Sequence, residues 1–166
     1  MNAEHLIKLL DLQPHPEGGY YRETYRSRLS IPGESLGTTG ARSAGTAIYF
    51  MLVPGNVSHF HRLVFDEMFH FHMGDPVRWV LLHPDGKLEE RYLGSPGPKG
   101  QEPQLVIPAG CWFGGALAEG GSFCLMGTTM APGFEFKDFE LAKRADLLSR
   151  FPHAKKELLA PFLLDN

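Results

Sequence analysis

The chain has 166 residues, of which 43% are hydrophobic, and a formal net charge of −3. This length and apolar content suit one domain with a sizeable core, predicted to span residues 1–166. The charge balance argues against a nucleic-acid partner, and no apolar run is long enough for a membrane span. Because the N-terminus lacks the layout of a signal peptide and Cys111 and Cys124 form no CxxC pair, we expect a cytoplasmic protein with reduced thiols.

The first predicted element is a helix over 3–12, which ends before Pro14. Short strands follow between about residues 20 and 130, separated by Gly- and Pro-rich turns, of which the Asp85-Gly86 hairpin is the clearest. A helix starting at Asp138 and ending at Pro152, and one more short helix, are predicted at the C-terminus. Many short strands at this spacing favour a β-sandwich or small barrel. The predicted strands are YYRETYRS, GTAIYFMLV, VRWVLLH, LEERYL, PQLVIP and SFCLMGTTM.

The segment PHPEGGYYRETYRS, residues 14–27, has two interpretations. Gly18 and Gly19 allow a sharp turn before an alternating strand. In the first interpretation, Arg22 or Glu23 lies at the mouth of a pocket and holds an anionic or sugar-like ligand. In the second, the strand lies at an edge and pairs across a dimer interface.

Histidines cluster in the segment GNVSHFHRLVFDEMFHFHMG, residues 55–74. On a strand, residues i and i+2 share a face, so His59 and His61 are predicted to point the same way, with Glu67 returning on the next strand. Two imidazoles and one carboxylate form a familiar site for iron, manganese or zinc. By the same alternation, His70 and His72 lie on the opposite face from Glu67 unless a bulge intervenes.

The spacing Gly55-x5-His61-x-Leu63-x3-Glu67-x6-Gly74 resembles the first signature of the cupin superfamily, and residues 108–113, PAGCWF, resemble the second. Longer stretches resemble a cupin subgroup of unknown function, among them PHPEGGYYRETYRS and PQLVIPAGCWFGG. The resemblance implies an all-β double-stranded β-helix, or jelly-roll, barrel with short N- and C-terminal helices. It also implies structural similarity to dTDP-4-dehydrorhamnose 3,5-epimerase, and a homodimer.

In the cupin register, Leu63 and Phe113 occupy two positions where the superfamily usually has histidine ligands. No cofactor is therefore expected, and a divalent metal held by His59, His61 and Glu67 is kept as the alternative. The register implies a substrate pocket built around His61 and Glu67. Its predicted walls are Tyr49, Phe50, Leu63, Phe69, Trp112 and Phe113, with one of Tyr49 and Phe50 facing inward.

A His–Glu pair in an apolar cavity suits general acid–base catalysis, and epimerisation or isomerisation needs no more than an acid, a base and a close fit. The leading hypothesis is a small-molecule-binding cupin, in particular a sugar or nucleotide-sugar epimerase or isomerase that uses His61 and Glu67. One alternative is a metal-dependent enzyme. Another is a non-catalytic ligand-binding or sensing module, in which the two side chains form only a satisfied polar contact.

Overall fold

The computed structural model describes residues 2–98 and 100–164. Short 3-10 turns occur at Gly33–Leu36, Phe136–Asp138 and Ala160–Phe162. In chain order, the helices and strands are α1 (Ala3–Leu9), β1 (Gln13–Pro14), β2 (Tyr20–Arg26), β3 (Ser30–Ile31), β4 (Arg42–Ser43), β5 (Thr46–Leu52), β6 (Val57–Leu63), β7 (Glu67–Gly74), β8 (Val77–Leu82), β9 (Leu88–Leu93), β10 (Gln104–Ile107), β11 (Trp112–Leu117), β12 (Cys124–Met130), β13 (Phe139–Leu141), α2 (Arg144–Arg150) and α3 (Lys156–Leu159).

Two antiparallel sheets form the body of the structure. One has the strand order β1-β2-β5-β12-β7-β10, and the other has the order β13-β6-β11-β8-β9. Strands that are distant in sequence, such as β5 and β12, lie side by side, as expected for a jelly roll. The predicted all-β jelly-roll fold with short terminal helices is confirmed.

Alternating side chains divide the apolar residues between the inside and the outside of the barrel. On β8, Trp79 and Leu81 pack between the sheets, whereas Val80 and Leu82 pack outward against the C-terminal helical segments. On β5, Met51 likewise packs outward, beneath α1. The terminal helices therefore cover apolar sheet surface. This packing stabilises them, because helices this short are not stable in isolation. No helix in the described parts of the chain is long and apolar enough to cross a membrane.

The predicted helix start at Asp138 is wrong. Residues Phe139–Leu141 form β13, which pairs with β6, and α2 begins only at Arg144. Asp138 is buried and accepts hydrogen bonds of 2.7 Å each from Nε and Nη2 of Arg42. The Asp138 carboxylate, which the sequence pattern assigned to a helix cap, is thus engaged in a buried, bidentate ion pair with Arg42.

A β-bulge in β6 changes which of its side chains face the interior. The pairing of β11 with β6 shifts by one residue between Phe113↔His61 and Gly115↔Ser58. The side chains of Ser58 and His61 consequently approach the same carboxylate, while Phe60 packs in the outer cluster. The prediction that His59 and His61 point into the same space is wrong for this reason.

Candidate functional site

A cavity of about 160 Å³ lies between the two sheets. Its polar wall contains His15, Glu17, His61, Glu67 and Thr128. Its apolar wall is mainly aromatic and is formed by Tyr21, Phe50, Phe69, Phe134, Phe136 and Phe139. An enclosed space with aromatic walls and a few converging polar groups is the usual form of a small-molecule site.

Glu17 lies at the centre of the polar wall, on the loop between β1 and β2. The backbone N–H of His59 donates to the Glu17 carbonyl oxygen at 2.8 Å, which joins this loop to β6. The Ser58 hydroxyl donates to Oε1 of Glu17 at 2.7 Å. Gly18 has a φ of +108°, and a Cβ there would collide with the backbone oxygen of Val57. Only glycine therefore lets the loop approach β6 closely enough to turn Glu17 inward.

His61 is fully buried, and its two ring nitrogens have different partners. Nδ1 donates to the carbonyl oxygen of His59 at 2.7 Å, and Nε2 lies 3.2 Å from Oε2 of Glu17. The Nδ1 hydrogen bond leaves Nε2 as the basic nitrogen of the neutral ring. Burial lowers the pKa of His61 to about 4, so the imidazole is neutral near pH 7.

Glu67, at the start of β7, is also buried. Burial, reinforced by the nearby carboxyl of Glu17, raises the pKa of Glu67 to about 8, although a hydrogen bond with Thr128 opposes the shift. Burial also raises the pKa of Glu17, against the opposing effects of His15, Ser58 and His59. The inner cavity thus combines a neutral base with a carboxylic acid that keeps its proton near neutral pH.

The mouth of the cavity carries an ion-pair cluster centred on Arg26. Its guanidinium donates from Nε and Nη2 to the two carboxylate oxygens of Glu23, at 3.0 and 2.8 Å. It also donates from Nη1 to Glu135 at 2.9 Å and from Nη2 to the carbonyl oxygen of Phe134 at 3.1 Å. Glu23 therefore lies at the mouth, as in the first of the two interpretations of this segment, but as the partner of Arg26. Arg22 instead lies over the ring of Tyr49.

Most of the predicted pocket residues lie at the cavity or directly behind it. Phe50, Leu63 and Phe69 line it together with His61 and Glu67. Phe113 is fully buried behind His61, with the two ring centroids 4.0 Å apart.

Tyr49 and Trp112 do not line the cavity, so their assignment to the pocket is corrected. On β5, alternation turns Phe50 inward and Tyr49 outward, where Tyr49 contacts the ring of His72. On β11, Trp112 packs in the outer cluster, with the guanidinium of Arg62 over its ring.

The residues proposed for a metal do not assemble into a ligand set. His59 lies outside the cavity wall, with Nδ1 2.7 Å from the carbonyl oxygen of Glu17. The apolar side chains of Leu63 and Phe113 adjoin the cavity and the ring of His61, and neither can coordinate a metal. Across residues 2–98 and 100–164, no three His, Cys, Asp or Glu side chains are arranged to hold a metal ion.

His70 and His72 lie on the outer face of β7, as strand alternation predicted. Nε2 of His70 is 2.8 Å from the hydroxyl of Thr129, and Nδ1 is 3.0 Å from the side-chain amide of Gln104. His72 lies close to Gly127, where a Cβ would come within 2.8 Å of its Nε2. Neither imidazole lines the cavity.

Sequence reasoning missed Glu17 and His15 as site residues. The predicted partner of His61 was Glu67, whereas the contact in the structure is with Glu17, and Nδ1 of His15 lies 3.4 Å from the same Oε2. The available signal was a glutamate directly before Gly18-Gly19 within a specific motif. That signal indicates a tight turn, but the contact with β6 appears only in three dimensions.

Comparison with known proteins gives one family and several full-length relatives. A family described as "Cupin superfamily (DUF985)" matches residues 4–142. A crystal structure of a Shewanella oneidensis protein is 38% identical, with a TM-score of 0.90, and the match covers 100% of this chain and 99% of that one. A hypothetical protein from Leishmania major is 31% identical, with a TM-score of 0.91, and the match covers 99% of this chain and 100% of that one.

Two further matches are more distant in sequence. An uncharacterised protein from Saccharomyces cerevisiae is 28% identical over 98% of this chain and 86% of its own length. Oxalate decarboxylase from Bacillus subtilis is 17% identical, with a TM-score of 0.55, over 92% of this chain and 34% of its own. At that identity the likeness concerns the fold alone.

Proposed function

We propose that this chain, which belongs to the family described as "Cupin superfamily (DUF985)", binds a small, sugar-like molecule in the barrel cavity. There it moves protons on and off the ligand, as an epimerase or isomerase does. The observation that carries this proposal is the pairing of opposite protonation tendencies in one cavity. Burial lowers the pKa of His61, which is a neutral base there, and raises the pKa of Glu67, which is a protonated acid. Pairs of groups whose pKa values are moved apart by their surroundings are the usual means of acid–base catalysis near pH 7.

The proposed roles follow from the contacts of each group. Glu17 and His61 share a contact of 3.2 Å and act together as the base that takes a carbon-bound proton from the ligand. The Nδ1 hydrogen bond to the His59 carbonyl holds the ring so that Nε2 can receive a proton. The Glu67 carboxyl donates its proton to the ligand oxygen that gains charge as the C–H bond breaks. The proton held by the base exchanges with solvent, a solvent-derived proton is delivered to the carbon, and the ligand oxygen returns its proton to Glu67. Delivery to the opposite face of the carbon gives the epimer.

Hydrogen exchange into the ligand tests this function whatever the product is. The purified protein is incubated in D₂O with a panel of neutral, amino, acidic and nucleotide-linked sugars, and loss of carbon-bound protons is followed by ¹H NMR. We expect one ligand class to exchange. We expect His61→Asn and Glu67→Gln each to slow that exchange by roughly 10²-fold or more, while the variants remain folded.

His83→Asn is the matched control, because His83 pairs with Glu89 away from the cavity. This variant should keep the wild-type exchange rate. An exchange rate that is unchanged in His61→Asn would contradict the acid–base proposal.

A non-catalytic binding module is the second candidate, and one observation favours it. The inner polar groups already have partners within the protein, such as Ser58 for Glu17 and Thr128 for Glu67. Saturable binding of a ligand whose carbon-bound hydrogens never exchange and whose structure is unchanged after incubation would support this candidate over the enzyme.

A further inference from the structure

We propose that the cavity selects a ligand of single-ring size that carries a cationic amino group, and that it rejects anionic ligands such as phosphorylated or nucleotide-linked sugars. This inference rests on the ligand-binding part of the proposed function and names the chemical class of the ligand.

The size of the cavity sets the first limit. Its volume of about 160 Å³ is close to the roughly 150 Å³ of an engineered protein cavity that holds benzene. Sites for drug-sized ligands begin at roughly 300 Å³. One six-membered ring with small substituents therefore fits inside, whereas a nucleotide does not.

The charged groups set the second limit. Four glutamates line the cavity, Glu17 and Glu67 inside and Glu23 and Glu135 at the mouth. Arg26 is the one lysine or arginine among the described lining residues. Its Nε, Nη1 and Nη2 all donate to Glu23, Glu135 or the Phe134 carbonyl. An anion would have to displace these partners, because no other guanidinium or ammonium lines the described cavity.

No lysine or arginine in the described parts of the chain pairs with either of the two inner carboxyls, Glu17 and Glu67. The other titratable groups that line the cavity are carboxyls, the imidazoles of His15 and His61, and Arg26. Burial lowers the pKa of both imidazoles, and Arg26 is neutralised by its own partners. A cationic group entering the cavity would supply such a partner and oppose the rise in pKa that burial gives both carboxyls. These lining groups are Glu17 and His15 from the β1–β2 loop, Glu23 and Arg26 from β2, His61 from β6, and Glu135 from the segment after β12.

The aromatic walls also favour a cation. Six Phe and Tyr rings line the cavity, and Phe136 and Phe134 form an edge-to-face pair with centroids 5.1 Å apart. The face of an aromatic ring attracts an ammonium group, and aromatic cages are a common way to recognise organic cations. A phosphate or carboxylate gains no such attraction.

Three probes that differ in one substituent test the proposal: cyclohexylammonium, cyclohexanol and cyclohexanecarboxylate. Binding of each to the full chain is measured near neutral pH by isothermal titration calorimetry. We expect cyclohexylammonium to bind at least tenfold more tightly than cyclohexanecarboxylate, with cyclohexanol between them. Equal or tighter binding of the carboxylate would overturn the proposal, and so would failure of all three probes to bind.

Two variants connect the preference to the residues named. Glu67→Gln keeps the shape of the side chain but cannot pair with a cation, and Phe136→Leu changes a ring that is 54% exposed and so does not threaten folding. Each should weaken cyclohexylammonium binding by roughly threefold or more and leave cyclohexanol nearly unchanged. Wild-type affinity for cyclohexylammonium in both variants would overturn the assignment.

The matched controls are Glu90→Gln and Tyr25→Leu. Glu90 pairs with Arg78 on β8, and Tyr25 is 57% exposed, and neither lines the cavity. Both should bind all three probes like the wild type. Failure of this inference is distinguishable from failure of the proposed reaction, because binding selectivity is measured here without any hydrogen exchange.

Discussion

Burial moves the pKa values of His61 and Glu67 in opposite directions, and both shifts affect stability as well as chemistry. The pKa of His61 falls to about 4 in the folded protein. Below about pH 6.5 the unfolded chain therefore binds a proton at His61 and the folded protein does not, so stability is lost as the pH falls. The pKa of Glu67 rises to about 8 in the folded protein. Above about pH 4.5 the unfolded chain therefore releases the Glu67 proton and the folded protein keeps it, so stability is lost as the pH rises. The two effects have opposite signs, and a variant of one residue separates them.

Glu67→Gln should become more stable relative to the wild type as the pH rises from about 4.5 to about 8, because the raised pKa of Glu67 acts over this window. There the wild type loses free energy of unfolding through Glu67, by up to about 1.4 kcal/mol per pH unit, whereas glutamine cannot ionise. Urea unfolding of both proteins at several pH values measures the difference between their free energies of unfolding. The contribution of His61 is the same in both proteins and cancels in this difference. The same series for Glu90→Gln should give a nearly constant difference. A difference for Glu67→Gln that is also independent of pH would contradict the assigned shift.

Part of the site could be predicted residue by residue from the sequence. Strand alternation and the cupin spacing together place His61, Leu63, Glu67 and Phe69 around one space, and all four line the cavity. The same alternation shows that one of Tyr49 and Phe50 faces inward but not which one, because that depends on the register with β12.

At the scale of elements, turn residues made most strands predictable. The segment LEERYL coincides with β9, and the predicted hairpin between β8 and β9 closes through a hydrogen bond from the His83 N–H to the Lys87 carbonyl oxygen. The bulge in β6 was not predictable, since it is a mismatch between two strands about fifty residues apart. The C-terminal helix was predicted too early, because the partner that occupies Asp138 lies almost a hundred residues upstream.

The β1–β2 loop is the element on which the polar wall depends, and Gly18→Ala tests this. Alanine there is strained by the positive φ and also collides with the backbone of β6, so we expect a loss of roughly 3 kcal/mol or more in the free energy of unfolding.

Gly55→Ala provides the control for Gly18→Ala. Gly55 also has a positive φ, of +82°, but the space around its Cβ position is open. The loss there should be only about 1 kcal/mol, which is the conformational cost alone. Equal losses in the two variants, measured by chemical denaturation, would show that the approach of the loop to β6 is not tightly constrained.

At the scale of the whole molecule, the terminal helices leave part of the outer face of the six-stranded sheet uncovered. His70 and His72 lie on this face, Tyr49 lies beside His72 at the margin of the cluster beneath α1, and Val106 on the edge strand β10 is 41% exposed. We expect this face to form the homodimer that the sequence predicted, because an uncovered sheet surface with apolar and aromatic side chains favours association.

Val106→Glu should therefore convert the protein from two chains to one in light scattering coupled to gel filtration, since it places a charge on the proposed interface. Val64→Glu is the control, because Val64 is 49% exposed in the turn between β6 and β7. A wild type that already elutes as a single chain, or a Val106→Glu variant that remains paired, would contradict this arrangement.

The ion-pair cluster centred on Arg26 at the mouth of the cavity is separate from the polar contacts inside it. Arg26 is neutralised by Glu23 and Glu135, whereas the carboxylate in contact with His61 is that of Glu17. Replacing Glu23 and Glu135 by glutamine would remove the negative partners of Arg26, so that its positive charge becomes available at the mouth. The groups inside the cavity would stay as they are. Two substitutions at the mouth would therefore change the charge that an entering ligand meets without altering Glu17, His61 or Glu67.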